Sequence, residues 1–352
     1  MTHAFDALPS PRHPDPSDAP SLRWGVLAPG GIAADFTDAI HAHSGQRVVA
    51  AGSRSADRAA AFAAAHGVER SYGSYEQLVA DPDVDVVYVA SPHPQHLELA
   101  LLAISAGKHV LIEKPMAVSA DDARTIAAAA RTAGVFAMEA MWTRYLPQTD
   151  IVRQLLDEGA FGEVRVVTAD FGFAATFDPA SRLFDPALGG GALLDLGVYP
   201  ISWASFALGA PASILATGTL TATGVDEQVA LVLSSVSGAQ ALVSTGLRAG
   251  TPSRATISGS AGRVETDSPF WAPSGLRFYR ADGSAAAQWN DPYGRVGRDG
   301  MVYEAAALAR YVAEGLTESP LHGLDESIST LAIIDEARRQ IGALGVGVGQ
   351  AD

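Results

Sequence analysis

Leu22-Arg23-Trp24-Gly25-Val26-Leu27-Ala28-Pro29-Gly30-Gly31-Ile32 reads as a short apolar strand over 22–27 that stops at a Pro-Gly-Gly turn and enters a helix over 32–41. Outward from this stretch, 47–52 (RVVAAG) reads as a second strand, with the Ala-rich 56–66 as its helix. Residues 84–90 (VDVVYVA) make another buried strand followed by a helix over 95–106; 109–112 (HVLI), a helix over 120–133 and a strand over 135–138 complete the series. Short apolar runs alternating with helices specify a parallel sheet covered on both faces. The reading is a doubly wound, Rossmann-type α/β domain over 21–145.

The pattern then changes. After a helix near 148–158 come strand-like runs at hairpin spacing: 163–173, 212–221, 228–235, 239–247, 254–260 and 276–280. One helical segment around 192–208 interrupts them, and helices over 301–314 and 325–341 close the chain. Strands without intervening helices form antiparallel sheets. Residues 146–352 are therefore expected to make an α+β domain with a large, mainly antiparallel open sheet.

Composition narrows the function. The chain of 352 residues is 48% hydrophobic and 18% charged, a globular balance long enough for two cores. Its formal charge of −15 disfavours nucleic acid, whose phosphates it would repel. There is no Cys, which removes thiolate chemistry and disulfides. The 9 His are scattered and include no HExxH spacing, so no metal is expected. No apolar run is expected to reach the roughly 18–20 residues of a membrane span. Residues 1–20, rich in Pro, Asp and Ser, read as a flexible arm without the apolar region of a signal peptide, and a cytoplasmic location is expected.

The turn at 28–31 suits a dinucleotide: such turns let the backbone approach a pyrophosphate, which sits on free N–H groups at the helix N-terminus. Ala28 and Ala33 occupy positions where the usual pattern has glycine, so the site rests on Gly30, with Gly31 and Ile32 beside it. At the end of the second strand, an NAD-binding chain usually has a carboxylate for the ribose 2′-hydroxyl. Here the order is Ser53-Arg54-Ser55 with Arg58 one turn on, a hydroxyl and guanidinium groups suited to a 2′-phosphate. NADP(H) is expected over NAD(H), which stays open. The alternative for Arg54 and Arg58 is a pair of solvated charges at a helix start.

Of 24 basic residues only Lys108 and Lys114 are lysine. Lys108 reads as a solvated residue before a strand. Lys114 lies in His109-Val110-Leu111-Ile112-Glu113-Lys114-Pro115, at the carboxyl edge of a central strand, where open α/β sheets bind ligands.

Glu113-Lys114-Pro115 after such a strand, together with the glycine turn, Ser91-Pro92 followed by His96, and Asp195 with Tyr199, resembles the glucose–fructose oxidoreductase / inositol dehydrogenase family. His93-Pro94-Gln95-His96, the run 138–144 (MEAMWTR) and the run 189–199 (GGGALLDLGVY) are similar to its dimeric dihydrodiol dehydrogenase / NADP-dependent D-xylose dehydrogenase branch. The resemblance covers nearly the whole chain after residue 20. It implies an NADP(H) enzyme that oxidises a sugar, polyol or vicinal diol, or reduces the matching carbonyl, and a homo-oligomer built on the large sheet. Many members of the wider family have His at the position of Tyr199; Tyr is the form in the glucose–fructose oxidoreductase and dihydrodiol dehydrogenase branches.

Lys114, Asp195 and Tyr199 are then the expected catalytic set, meeting where the domains join. A phenol is a weak base at neutral pH, and a neighbouring ammonium stabilises the phenolate. A compact ammonium can also donate to a developing alkoxide, which a planar guanidinium cannot do in the same place. Asp195 and Tyr199, four apart, share a helix face, although Pro200 requires the helix to begin or bend nearby. Trp142 and Arg144 follow the last strand of the first domain as candidates for the nicotinamide end, or for packing. His93 and His96 face the cofactor or serve packing and capping. Trp142, Arg182 and Trp271 are candidate substrate contacts, with packing as the alternative. Two rivals remain: a relative that keeps its cofactor bound and recycles hydride, and a nucleotide-binding regulator without turnover.

Overall fold

The computed structural model describes residues 7–343. It contains two compact units: residues 14–145 with 297–328, and residues 7–13 with 146–296 and 329–343.

The first unit opens with β1 (Arg23–Leu27), α1 (Gly31–His43), β2 (Arg47–Gly52), α2 (Ala56–His66), β3 (Arg70–Tyr72), α3 (Tyr75–Val79) and β4 (Val86–Val89). It continues through α4 (His96–Ser105), β5 (His109–Glu113), α5 (Ala120–Ala133) and β6 (Ala137–Ala140). The six strands run parallel in the order β3-β2-β1-β4-β5-β6. That order reverses between β1 and β4, the position at which doubly wound sheets bind nucleotides. All four residues of β4 are buried, as a strand covered on both faces requires. Trp24 packs edge-on against Phe36 at 5.3 Å, and Phe36 lies 4.3 Å from Tyr88, which seats α1 on the sheet.

The second unit has α6 (Pro147–Asp157), β7 (Val164–Gly172), α7 (Val198–Leu208), β8 (Ser213–Leu220), β9 (Asp226–Ser234) and β10 (Gln240–Gly246). It also has β11 (Ala255–Gly259), β12 (Gly262–Thr266), β13 (Leu276–Arg280) and β14 (Ala285–Trp289). Its eight strands follow the order β14-β13-β12-β11-β7-β10-β9-β8. Every pair is antiparallel except β7 with β10, which are parallel. On one face α7 packs on β7 and β10.

The chain then forms α8 (Met301–Ala313) and α9 (Leu324–Ile341). Residues 297–328 belong with the nucleotide unit rather than with the second domain, because α8 packs on α1. Only from Ser329 does α9 belong to the second unit.

Three further expectations are corrected. Residues 1–6 of the supposed arm lie outside the described residues, but 7–20 are packed. Arg12 Nη2 is 2.9 Å from Asp150 Oδ1, Arg310 donates to the Asp15 carbonyl, and Ala19 is buried against Ala306 and Ala309. The apolar side chains and carboxylate partners on the body hold this Pro-rich segment in place. The segment 186–208 is apolar and long enough to cross a membrane by length and composition, contrary to expectation, and most of it is buried inside the fold, as in the core of a soluble protein. Lys108 is likewise no solvated charge: its Nζ donates to the Asp81 and Val84 carbonyls, both at 2.7 Å.

Candidate active site

The glycine turn has the form a dinucleotide needs even without its first glycine. Ala28 adopts φ +57°, the left-handed conformation glycine would take without strain. Gly30 is the N-cap of α1 and makes no side-chain capping bond, and no acidic residue stands in the first turn. The N–H groups there point outward at the positive end of the helix dipole. A Cβ on Gly31 would meet nothing within 4 Å, and one on Gly30 only the Ala28 carbonyl at 3.9 Å. The protein itself therefore has room for side chains at both positions; their absence keeps space for a ligand. Ile32 follows in the first turn, and Ala33 is buried, in keeping with close helix–strand packing.

Beyond β2, Ser53 is buried and its hydroxyl accepts from Ser55 N–H at 3.2 Å. Ser55 caps α2, so Arg54 precedes the cap and Arg58 is the third helical residue. Both guanidinium groups are exposed, and no ion pair is recorded for either among the described residues. Cations at a helix N-terminus oppose its dipole. Asp57 in the first turn offsets part of that penalty, and a phosphate would offset it further.

After β4, Ser91 has a buried hydroxyl without a hydrogen-bond partner among the described residues, and Pro92 leads into the turn His93–Gln95. His96 is entirely buried, with Nε2 2.9 Å from the Ser91 carbonyl and Nδ1 2.9 Å from the Pro115 carbonyl. Burial pushes its imidazole down, while the two carbonyls and Glu139 act in the opposite sense. Both nitrogens being engaged, His96 ties the loops after β4 and β5 together and offers no edge to a ligand. His93 lies 5.7 Å from it, edge-on.

Lys114 begins the loop after β5, followed by a cis peptide to Pro115. Glu113 is buried beneath it. Burial raises the Glu113 carboxyl above its ordinary range, opposed by the Lys114 charge and by bonds from Tyr88 Oη and Lys114 N–H. Trp142 and Arg144 lie in the 3-10 turn Trp142–Tyr145, whose four residues are all buried. Arg144 Nη2 bonds Glu326 and the Leu321 carbonyl, so much of its guanidinium serves the fold rather than standing open to a cofactor.

In the second unit, the run 189–199 forms the entry to α7. Gly191 has φ +122°, and a Cβ there would strike Asp226 Oδ1 at 2.3 Å. That approach lets buried Asp226 accept from Leu193 N–H at 2.6 Å and start the helix. Leu193–Gly197 is a π-turn running straight into α7, in which Pro200 is the third residue. Pro200 has no N–H to donate, and the wider turn ahead of it leaves room for its ring, so the helix neither begins at Tyr199 nor breaks there. Asp195, in the π-turn, is buried and paired with Arg182, whose guanidinium is mostly exposed. Tyr199 is buried in an aromatic group: Phe171 stacks on Trp271 at 5.0 Å, and Tyr199 lies 5.8 Å and 6.0 Å from these two rings. The structure thus brings Asp195 to Arg182 and Tyr199 to Trp271. Phe171 went unnoticed in the sequence; its place on the β7 face of Val167 and Ala169 is the signal that could have found it.

Comparison with known proteins agrees with this architecture. Residues 22–141 match the oxidoreductase family with an NAD-binding Rossmann fold, and residues 150–265 match the GFO/IDH/MocA C-terminal domain. The chain belongs to this family of oxidoreductases, and its first unit is the NAD(P)-binding domain. It is 38% identical to trans-1,2-dihydrobenzene-1,2-diol dehydrogenase of Mus musculus, over 92% of this chain and 97% of that one. Among solved structures, a 3-ketoreductase from Actinomadura kijaniata with NADP and TDP-benzene is 30% identical, with a TM-score of 0.78 and coverage of 92% and 98%. An aldose–aldose oxidoreductase from Caulobacter crescentus is 26% identical, with a TM-score of 0.80 and coverage of 91% and 97%.

Proposed function

We propose that the protein is an NADP(H)-dependent dehydrogenase or reductase that acts on a CH–OH group of a sugar, polyol or vicinal diol, or on the matching carbonyl. The observation that carries this reading is the position of Lys114, at the carboxyl end of β5 in a sheet whose order reverses between β1 and β4. The names of the relatives, a diol dehydrogenase, a 3-ketoreductase and an aldose–aldose oxidoreductase, share chemistry at a hydroxyl-bearing carbon.

NADP, when bound, supplies the nicotinamide carbon that accepts or gives the hydride. The N–H groups at the start of α1, beside Gly30 and Gly31, would hold the pyrophosphate, and Ser91 would supply a hydroxyl. Ser53, Arg54 and Arg58 would hold the 2′-phosphate. The preference for NADP(H) over NAD(H) is supported by these exposed cations at the start of α2 and by the lack of a carboxylate at the end of β2. In alcohol oxidation Tyr199 Oη takes the hydroxyl proton, and the Lys114 ammonium stabilises the phenolate and the developing alkoxide. Asp195, fixed by Arg182, accepts from a second hydroxyl of the substrate. Phe171 and Trp271 offer an apolar wall beside Tyr199.

The test is a panel of aldoses, polyols, dihydrodiols and dicarbonyls, followed by nicotinamide absorbance with NADP(H) and with NAD(H). Turnover of at least one class, abolished in Lys114→Ala and Tyr199→Phe with dinucleotide affinity kept, supports the reading. Inactivity across the panel, or variants that turn over normally, rejects it. Release of NADPH in proportion to substrate consumed separates it from an enzyme that recycles a bound cofactor.

A homo-oligomer assembled through the second sheet is part of the same reading. The face away from α7 carries a register-matched row, Leu215, Val232, Leu242, Thr168 and Thr256, across β8, β9, β10, β7 and β11. Leu215 is 66% exposed and Leu242 45%, in a row without charge. A second copy of this face would bury them. Sedimentation of the wild type against Leu215→Glu/Leu242→Glu should show dissociation; a monomeric wild type rejects the assembly.

A further inference from the structure

We propose that Glu139 and His322 are positioning residues for Lys114: the Glu139 carboxylate anchors the backbone two residues beyond the lysine, and His322 fixes that carboxylate. The inference rests on the reading of Lys114 as a catalytic group.

Past Glu113 the chain leaves the β5 ladder, and its buried polar groups need partners. Three successive residues find them in ionisable side chains. Lys114 N–H donates to Glu113 Oε2 at 3.1 Å, the Pro115 carbonyl faces His96 Nδ1 at 2.9 Å, and Met116 N–H donates to Glu139 Oε1 at 2.9 Å. The third bond crosses between strands: Glu139 pairs with Ile112 in the register of β5 with β6, and its side chain reaches forward to the loop. Met116 and Ala117 are buried, so the loop bearing Lys114 is held from below as well as from its strand.

A buried amide or hydroxyl could satisfy one N–H. A carboxylate there is costly unless it is compensated, and here the compensation extends outward in a row. Glu139 Oε2 lies 2.9 Å from His322 Nε2, and His322 Nδ1 lies 3.3 Å from Glu326 Oε2. Glu326 Oε1 accepts from Arg144, and Ser327 Oγ is 3.1 Å from His322 Nε2. Carboxylate, imidazolium, carboxylate and guanidinium alternate in sign. Burial works against the Glu139 carboxylate, but its bonds to His322, Ser327 and Met116 N–H outweigh it and hold the group below its ordinary range. Burial likewise opposes the His322 cation, and the two flanking carboxylates raise it above the usual imidazole range. A charged acceptor makes a shorter, stronger bond than a neutral one. The run 138–144 therefore supplies both ends of the row, Glu139 and Arg144, and the stiffness of the row is passed to the lysine loop through Met116 N–H.

A role confined to fold stability would lower the yield of folded protein and leave the turnover of each folded site unchanged. The experiment compares full-chain Lys114→Ala, Glu139→Ala and Glu139→Gln, with folded sites counted by titration with NADPH. Glu139→Ala should lower kcat per folded site on the order of 100-fold, the effect of displacing a catalytic group by about 1 Å. Its dinucleotide affinity should stay within about threefold, and the pH profile of kcat should move. Glu139→Gln, whose amide oxygen still accepts from Met116 N–H, should recover about tenfold or more of that loss. Full kcat per folded site in Glu139→Ala, while Lys114→Ala is inactive, overturns the positioning role. Full activity in Lys114→Ala overturns the reading on which it rests. If Glu139→Ala does not fold, Glu139→Asp, too short to reach Met116 N–H, takes its place with the same two outcomes. Hydrogen exchange at Met116 gives an independent check: exchange as slow as that of the β5 core is expected in the wild type, and fast exchange overturns the anchor.

Discussion

The carboxylate of Asp195 and the guanidinium of Arg182 meet through two contacts, Nη1 to Oδ1 at 2.9 Å and Nη2 to Oδ2 at 3.4 Å. Asp195 is buried, whereas the Arg182 side chain is 59% exposed. An exposed cation covering a buried carboxylate orients that carboxylate without adding much stability, since such pairs contribute about 0–1 kcal/mol. Arg182→Gln should lower kcat/KM by roughly ten- to a hundredfold, corresponding to a charge-assisted bond of about 1.5–3 kcal/mol, while Tm moves little. Steady-state kinetics with parallel thermal melts will decide; unchanged kcat/KM would show that Asp195 works without its arginine.

Arg54 and Arg58 stand at the positive end of α2. If they hold a 2′-phosphate, Arg58→Ala should weaken NADPH binding about ten- to a hundredfold, with NADH affinity nearly unchanged, and Arg54→Ala should act in the same direction. Fluorescence titration at low and moderate salt measures both. Equal losses for the two dinucleotides would mean that the arginines do not read the phosphate.

The glycine turn separates a ligand's demand from the protein's. Nothing in the protein fills the space a Cβ would occupy at Gly31. Gly31→Ala should therefore leave Tm equal or slightly higher, alanine being favoured in helices by up to about 1 kcal/mol, while dinucleotide affinity falls tenfold or more by roughly 1.4 kcal/mol of steric cost. Ala28→Gly should relieve the left-handed alanine, worth about 1–2 kcal/mol before the entropy of glycine is subtracted, and should keep binding. A large drop in Tm for Gly31→Ala would return the turn to an ordinary structural role.

Glu304, on α8, is wholly buried, and neither of its carboxyl oxygens has a hydrogen-bond partner among the described residues. Burial raises its carboxyl well above the ordinary range, with Glu113 and Glu139 adding to the shift. A raised acid binds its proton more tightly in the folded state than in the unfolded chain. Its contribution to stability is thus present in full below the unfolded value near 4.5 and is lost as pH rises towards the folded value. Glu304→Gln should be more stable than the wild type at neutral and mildly alkaline pH, with the gain shrinking towards pH 4. Thermal melts across that range test it, and a pH-independent difference would contradict it.

Much of the nucleotide unit was legible because its signals are local. Alternating apolar runs, the turn at 28–31 and Lys114 at a strand end are properties of a few consecutive residues. The strands left unread explain themselves. β3 has three residues of mixed polarity, β14 is alanine-rich and suggests a helix, and β12 is broken into by polar side chains at alternate positions. The parallel pairing of β7 with β10 could not be seen, because pairing between distant strands leaves no mark in either one. Arg144 and His96 were read as candidate cofactor contacts, whereas the structure turns polar atoms of both inward, to Glu326 and to two backbone carbonyls.

By itself the sequence determined the alternation of strand and helix, the glycine turn, the lysine at the end of β5 and the aspartate and tyrosine of the run 189–199. These rest on period, turn chemistry and residue type, which short-range sterics and hydrophobicity impose directly. Only the tertiary structure decided that α8 packs on α1, that Tyr199 sits beside Phe171 and Trp271, and that Glu139 meets His322 across 183 positions of chain. A buried charge must find its partner in space rather than in sequence, and the fold alone supplies that neighbour.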